Sequence, residues 1–153
     1  MNLHCLIAGG LVALLGCATA TGADSLSVRS LAKGGFSGIQ EAKQEVIKSR
    51  AAWEKLWTQH QKSAGNATPL PEVDFSKEMV IVATMGMKRT GGYSIEITGA
   101  EVAGKKVKVS VREASPSPGA LTTQALTAPF HFVAVPKSDL KAEFVEVKAA
   151  QKR

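Results

Sequence analysis

Histidine, cysteine and carboxylate are the side chains of this chain that could move protons, hold a metal or attack a carbonyl. The three histidines are His4, His60 and His131, and the two cysteines are Cys5 and Cys17. Metal sites need several such groups at ligand spacing, as in HExxH or paired CxxC motifs. Here His60 and His131 stand far apart, with no HxH, no HExxH and no cysteine beside them. Nucleophilic catalysis would need a nucleophile elbow, G-x-S-x-G, which is missing, as is a Walker loop. Gly86-Met87-Lys88-Arg89-Thr90-Gly91-Gly92 combines glycine and base, but it leads into strand-like sequence, whereas a phosphate cradle opens a helix. Proton transfer would require His131 to meet Glu96 or Glu113 in a cleft. The expectation is no catalytic residue, no metal and no cofactor.

Recognition is the chemistry that remains. Adjacent Gly91 and Gly92 permit positive φ and close backbone approach. Tyr93 follows directly, offering a ring and a hydroxyl, a combination favoured at interfaces; the other reading is a tight turn with Tyr93 in the core. A second stretch, Ala114–Pro129, holds Pro116, Pro118, Gly119 and Pro129; a loop of that length in a compact domain is usually functional or mobile. Alternation sends His131 to the face opposite Phe130 and Phe132, where it is either exposed or in contact with a partner.

These loops need a scaffold, and the chain predicts one after a leader. No Asp, Glu, Lys or Arg occurs before Asp24. Leu6–Gly16 is an apolar run of secretory length, too short to span a bilayer as a helix. Leu14-Leu15-Gly16-Cys17 has the form of a lipobox, with Cys17 lipidated and first in the mature chain. Ala18-Thr19-Ala20 is the competing A-x-A cleavage site. Residues 1–23 are therefore read as a signal peptide and 24–153 as a single exported domain. Both cysteines fall in or at the edge of the leader, so no disulfide is expected within the domain. The formal net charge of +6 predicts attraction to anionic envelope surfaces rather than to nucleic acid, since exposed aromatic platforms are too few.

Within 24–153, Ser49–Lys62 predicts the one helix. Ser49 suits the N-cap, and Trp53, Leu56, Trp57 and His60 recur at i, i+3, i+4 and i+7. The period then changes to two. Met79–Ala83 is apolar on both faces. Tyr93, Ile95 and Ile97, and Val107, Val109 and Val111, mark an antiparallel pair turning near Ala103-Gly104. Phe130–Val135 and Phe144–Val147 add short strands. Ser25–Lys33 reads as a short strand or tether and Phe36–Lys48 as a partly exposed strand or hairpin. The expected fold is α+β: a mostly antiparallel sheet of about five or six strands packed on one Trp-bearing helix.

Several motifs stand in a characteristic order: Val73-Asp74-Phe75, Met79-Val80-Ile81-Val82, Thr90-Gly91-Gly92-Tyr93-Ser94-Ile95, Pro116-x-Pro118-Gly119 and Ala128-Pro129-Phe130-His131-Phe132. With the tryptophan helix ahead of them they resemble the C-terminal domain of the PrcB family of bacterial surface lipoproteins, over roughly residues 47–144. The resemblance implies a non-enzymatic exported module that associates with a surface subtilisin-like protease and assists its assembly. It would be anchored through Cys17 to the cell envelope, or be free in the periplasm or medium, and would make contact through Thr90, Gly91, Gly92, Tyr93, Pro116, Pro118, Gly119, Pro129, Phe130 and His131. A second likeness is to chagasin-like cysteine-protease inhibitors, whose Thr-Gly-aromatic and Pro-aromatic loops enter a protease cleft. Thr90–Tyr93 and Pro129-Phe130 resemble those loops, without the Asn-Pro-Thr-Thr or the Arg that accompany them there. A purely structural envelope protein is the third reading.

Overall fold

The computed structural model describes residues 22–63 and 68–148. Residues 1–21, which hold nearly all of the leader, both cysteines and the two competing processing sites, lie outside the described residues.

Two segments decide the architecture because both of their faces are apolar. Strand β4 (Glu78–Met85) and strand β7 (Phe130–Pro136) pair antiparallel from Glu78↔Pro136 to Thr84↔Phe130. Flanked by β2 (Arg29–Gly34) and β3 (Ala42–Ile47), they form a four-stranded antiparallel sheet in the order β2-β7-β4-β3. A sheet that is apolar on both sides must be covered twice. Helix α1 (Arg50–Gln61) covers one face, burying Trp53, Leu56 and Trp57 against Val80, Val82, Phe130 and Phe132. The Trp53 and Phe132 rings meet edge to face at 5.8 Å, and each indole N–H donates to a loop carbonyl, of Pro71 and Thr68 respectively. The Ser49 hydroxyl caps the helix, accepting from the Ala52 N–H.

A second sheet covers the other face. It contains β1 (Asp24–Leu26), β5 (Ser94–Ala103), β6 (Lys106–Ala114) and β8 (Lys141–Glu146) in the order β1-β5-β6-β8, with β8 parallel to β6. Ile95, Ile97, Val107, Val109 and Val111 pack on Met79, Ile81, Val133 and Val135. Its outer face alternates charge, with Lys108 near Glu101 and Lys106 near Glu143. Gly104, at φ +61, opens the two-residue turn between β5 and β6, where a II′ turn wants glycine.

The described residues are therefore mostly β with one helix, in three layers. The expected single sheet of five or six strands is corrected to two sheets of four. The reason is physical: β5 and β6 each have one apolar face, so they add a cover to the central sheet instead of widening it. Ser25–Lys33 also divides, into β1 in one sheet and β2 in the other, both running toward the same end of the sandwich. At that end lie the segments 35–41, 86–93 and 115–129.

Candidate functional site

Those three segments are locked together by main-chain bonds. Lys88 and Thr127 exchange a pair, at 2.7 and 2.9 Å, and the Gly91 N–H donates to the Thr123 carbonyl at 2.9 Å. The Thr127 hydroxyl donates to the Thr90 carbonyl at 2.8 Å. Segment 35–41 joins through Ala128 N–H to the Gly35 carbonyl and Met87 N–H to the Gln40 carbonyl, at 2.7 and 3.0 Å. Two glycines make the packing possible. Gly86 has φ +70, and a Cβ there would lie 2.8 Å from the Ala42 nitrogen; Gly92 has φ +88 and would press on Pro116 at 3.0 Å.

The helix holds segment 35–41 from below. The Ser37 hydroxyl accepts from the Ile39 N–H and bonds His60 Nδ1 at 2.9 Å. The Gly38 N–H donates to the His60 carbonyl at 2.7 Å, so the last turn of α1 is capped by this loop. His60 itself is buried against Phe130, with ring centroids 4.4 Å apart, and burial lowers its pKa.

On this interlocked base stand all four exposed large apolar side chains of the described residues: Phe36, Met87, Leu126 and Leu121, at 59, 45, 62 and 104% exposure. The first three surround a groove of about 110 Å³ whose polar wall includes Gln40 and Thr127. Lys88 and Arg89 follow Met87 directly, and segment 115–129 carries no charged residue. The surface is apolar with a basic margin, presented by loops whose shape is set before anything binds.

The residues expected from sequence fall into four groups. Pro118 and Gly119 are exposed at the tip of a Ser117–Ala120 turn, with Gly119 at φ +80 as a type II turn requires. Thr90, Gly91, Gly92 and Pro116 form the contacts between loops, so the Gly91 amide and Thr90 carbonyl serve inside the protein. Tyr93 is half-buried on the inter-sheet core, with Lys88 Nζ 5.3 Å from its ring centre. Pro129, Phe130 and His131 are enclosed.

His131 faces away from the phenylalanines, as alternation predicts, but the second sheet covers that side. Its Nδ1 accepts from the Ile97 N–H at 2.9 Å and its Nε2 lies 3.0 Å from the Ser30 hydroxyl. Strand β1 pairs only as far as Ala100, and β5 slips register between Ile97 and Gly99. The imidazole takes the amide that this irregularity leaves over. Accepting at Nδ1 places the proton of the neutral ring on Nε2. Burial lowers the pKa of His131, as does the charge of Lys33, while Glu96 opposes them. Glu96 is itself ion-paired with Lys33 at 2.7 Å. Both ring nitrogens are thus committed to structure.

Sequence reasoning missed Phe36, Met87, Leu121 and Leu126 as individual residues. Their signal was present: large apolar side chains isolated among Gly, Ser, Pro and Thr, where no helical or strand period can bury them.

No curated protein and no solved structure matches the chain significantly. A family model does match, PrcB C-terminal, over residues 79–136. That span runs from β4 through both later loops to the end of β7. It leaves the helix, the Phe36 segment and β8 outside. The resemblance drawn from the ordered motifs thus holds over residues 79–136, which match the PrcB C-terminal family model.

Proposed function

We propose that this protein is a non-enzymatic, exported binding module of a protease complex, and that it meets its protein partner through Phe36, Met87, Leu121 and Leu126. One observation carries the reading: every large exposed apolar side chain among the described residues converges on three interlocked loops at one end. Such clusters on an otherwise polar surface mark interaction sites, and a pre-ordered surface loses little entropy on binding. The family supports a protease complex, its namesake being a subunit of one. The domain is delivered by residues 1–23, with Cys17 as lipid anchor, and acts by contact and assembly; a subtilisin-like surface protease is the partner class.

The test is recovery of partners from envelope extracts by the tagged full-length protein, followed by reconstitution with the purified protease recovered. Wild type is expected to bind and to lengthen the protease's half-life. Phe36→Asp and Leu126→Asp should each weaken binding at least tenfold without loss of fold. Equal binding by all three proteins would remove the loop end from the mechanism.

The chagasin-like reading, in which loops block a protease cleft, would have to use the exposed loop side chains, because Thr90 and Gly91 bond within the protein and Pro129 and Phe130 are enclosed. Titration of papain and of a subtilisin with the domain separates the two. Stoichiometric loss of activity supports inhibition; unchanged activity supports assembly.

A further inference from the structure

Of the four large apolar side chains exposed at the loop end, only Leu121 precedes a peptide bond that is free. Phe36 is followed by Ser37, which is buried. The Met87 N–H donates to the Gln40 carbonyl, and Lys88 after it exchanges two bonds with Thr127. That same exchange holds the residue after Leu126, which is Thr127. Leu121 differs. Its side chain is fully exposed, and among the described residues neither its own N–H and C=O nor the Thr122 N–H makes a main-chain hydrogen bond.

The segment is nevertheless fixed on both sides. Ahead of it the Ala120 N–H donates to the Ser117 carbonyl at 3.0 Å, closing the turn that contains Gly119. Behind it the Thr123 carbonyl accepts from the Gly91 N–H at 2.9 Å. Thr122 and Thr123 lie beside Gly92 and Gly91, where an added Cβ would be 3.4 Å from each threonine side chain. Leu121 stands out between these two ties. Exposed loop tips of small and polar residues are where endopeptidases nick folded proteins. An extended segment with free N–H and C=O groups can pair as an added strand, and the S1 pocket takes the side chain just before the bond that is cut. Leu121 offers that pocket an apolar group, and no Lys, Arg, Asp or Glu occurs from Ser115 to Pro129 to suit a charged one.

We propose that the Leu121–Thr122 bond is a processing site for an endopeptidase with an apolar S1 pocket, and that the cut chain remains one folded body. Water is consumed: the C–N bond breaks, a C–O bond forms at Leu121, which ends as a carboxylate, and the proton goes to the Thr122 amine. The piece beginning at Thr122 carries β7, bonded to β2 and β4, and β8, bonded to β6. Thr123 and Thr127 still hold it to Gly91 and Lys88. That the enzyme is the protease partner rests on the function proposed above; the exposure of the bond does not.

The test digests the full-length protein with a trace of chymotrypsin, whose S1 pocket is an apolar slot. Within residues 22–63 and 68–148 the first cut is expected between Leu121 and Thr122, read by fragment masses and an amino-terminal sequence starting at Thr122. The two pieces should co-elute in gel filtration with an unchanged far-UV circular dichroism spectrum. Leu121→Asp alters a side chain fully open to solvent and should slow the cut at least tenfold with the fold intact. Leu121→Phe, still apolar, should be cut at the same bond. Absence of the 121–122 product, equal rates for wild type and Leu121→Asp, or pieces that separate in native buffer would overturn the proposal. Because the digest contains no partner, its failure leaves the proposed function standing, and failed partner capture leaves the digest result unchanged.

Discussion

At the residue scale, His131 and His60 make stability depend on pH. Each has a folded-state pKa below its ordinary value of 6.5, chiefly through burial. The unfolded chain therefore binds protons first as pH falls. Stability contributed by the neutral rings is complete above about pH 6.5 and declines on acidification through and below that value. The carboxyl groups of Glu96 and Asp74 are lowered by hydrogen bonds from Lys33 and Ser76 and titrate further down. Urea midpoints measured from pH 8 to pH 5 should thus fall, and His131→Gln should flatten part of that slope. His131→Leu should cost about 1–3 kcal/mol at pH 8, because the Ile97 N–H is left buried without a partner. A pH-independent midpoint in the wild type would contradict this account. The side to which His131 points was legible from the Phe-His-Phe alternation. That the side is interior was not, because alternation names a face without saying what covers it.

At the scale of elements, the helix was legible throughout: cap, stripe and ends followed from Ser49 and the Trp53–His60 spacing. The segment before β3 was not. Read as strand or hairpin, residues 36–41 are a loop clamped to the last turn of α1. The clamp depends on Gly38, where a Cβ would lie 2.1 Å from the Gln59 carbonyl oxygen and 2.9 Å from that of His60. Nothing in the order of residues reveals such a close approach, since it exists only once helix and loop have docked. Gly38→Ala should destabilise by about 1–3 kcal/mol, with the Phe36 loop the first region to lose amide protection. Gly35→Ala, three residues earlier and open to solvent, should stay within about 0.5 kcal/mol of wild type. Similar losses for the two variants in urea titrations would show that the clamp contributes nothing.

Across the whole molecule, one sheet serves both cores. Val80, Val82 and Phe132 face the helix, while Met79, Ile81 and Val133 face the second sheet. Damage to either layer must therefore reach the other through β4 and β7. Trp53 and Trp57 both lie in the helix layer, so fluorescence reports on one core and far-UV circular dichroism on the sheets as a whole. Ile81→Ala, in the opposite layer, should lower both midpoints together, by about 2–5 kcal/mol. Separate transitions would mean that the layers fold independently. The two-sided apolar character of Met79–Ala83 announced a covered strand; the number of covers was beyond it. Assigning β5 and β6 to a second sheet depends on which long-range pairings form, and several pairings bury the same valines.

The direction of β1 and β2 fixes an orientation. The chain enters at Asp24, opposite Val102 near the far end of the sandwich, and reaches Phe36 only after running its length. With the anchor proposed above, the greasy crown is the pole farther from the point where the domain begins. Its first encounter would be with something arriving from the open side, not with the surface to which it is moored.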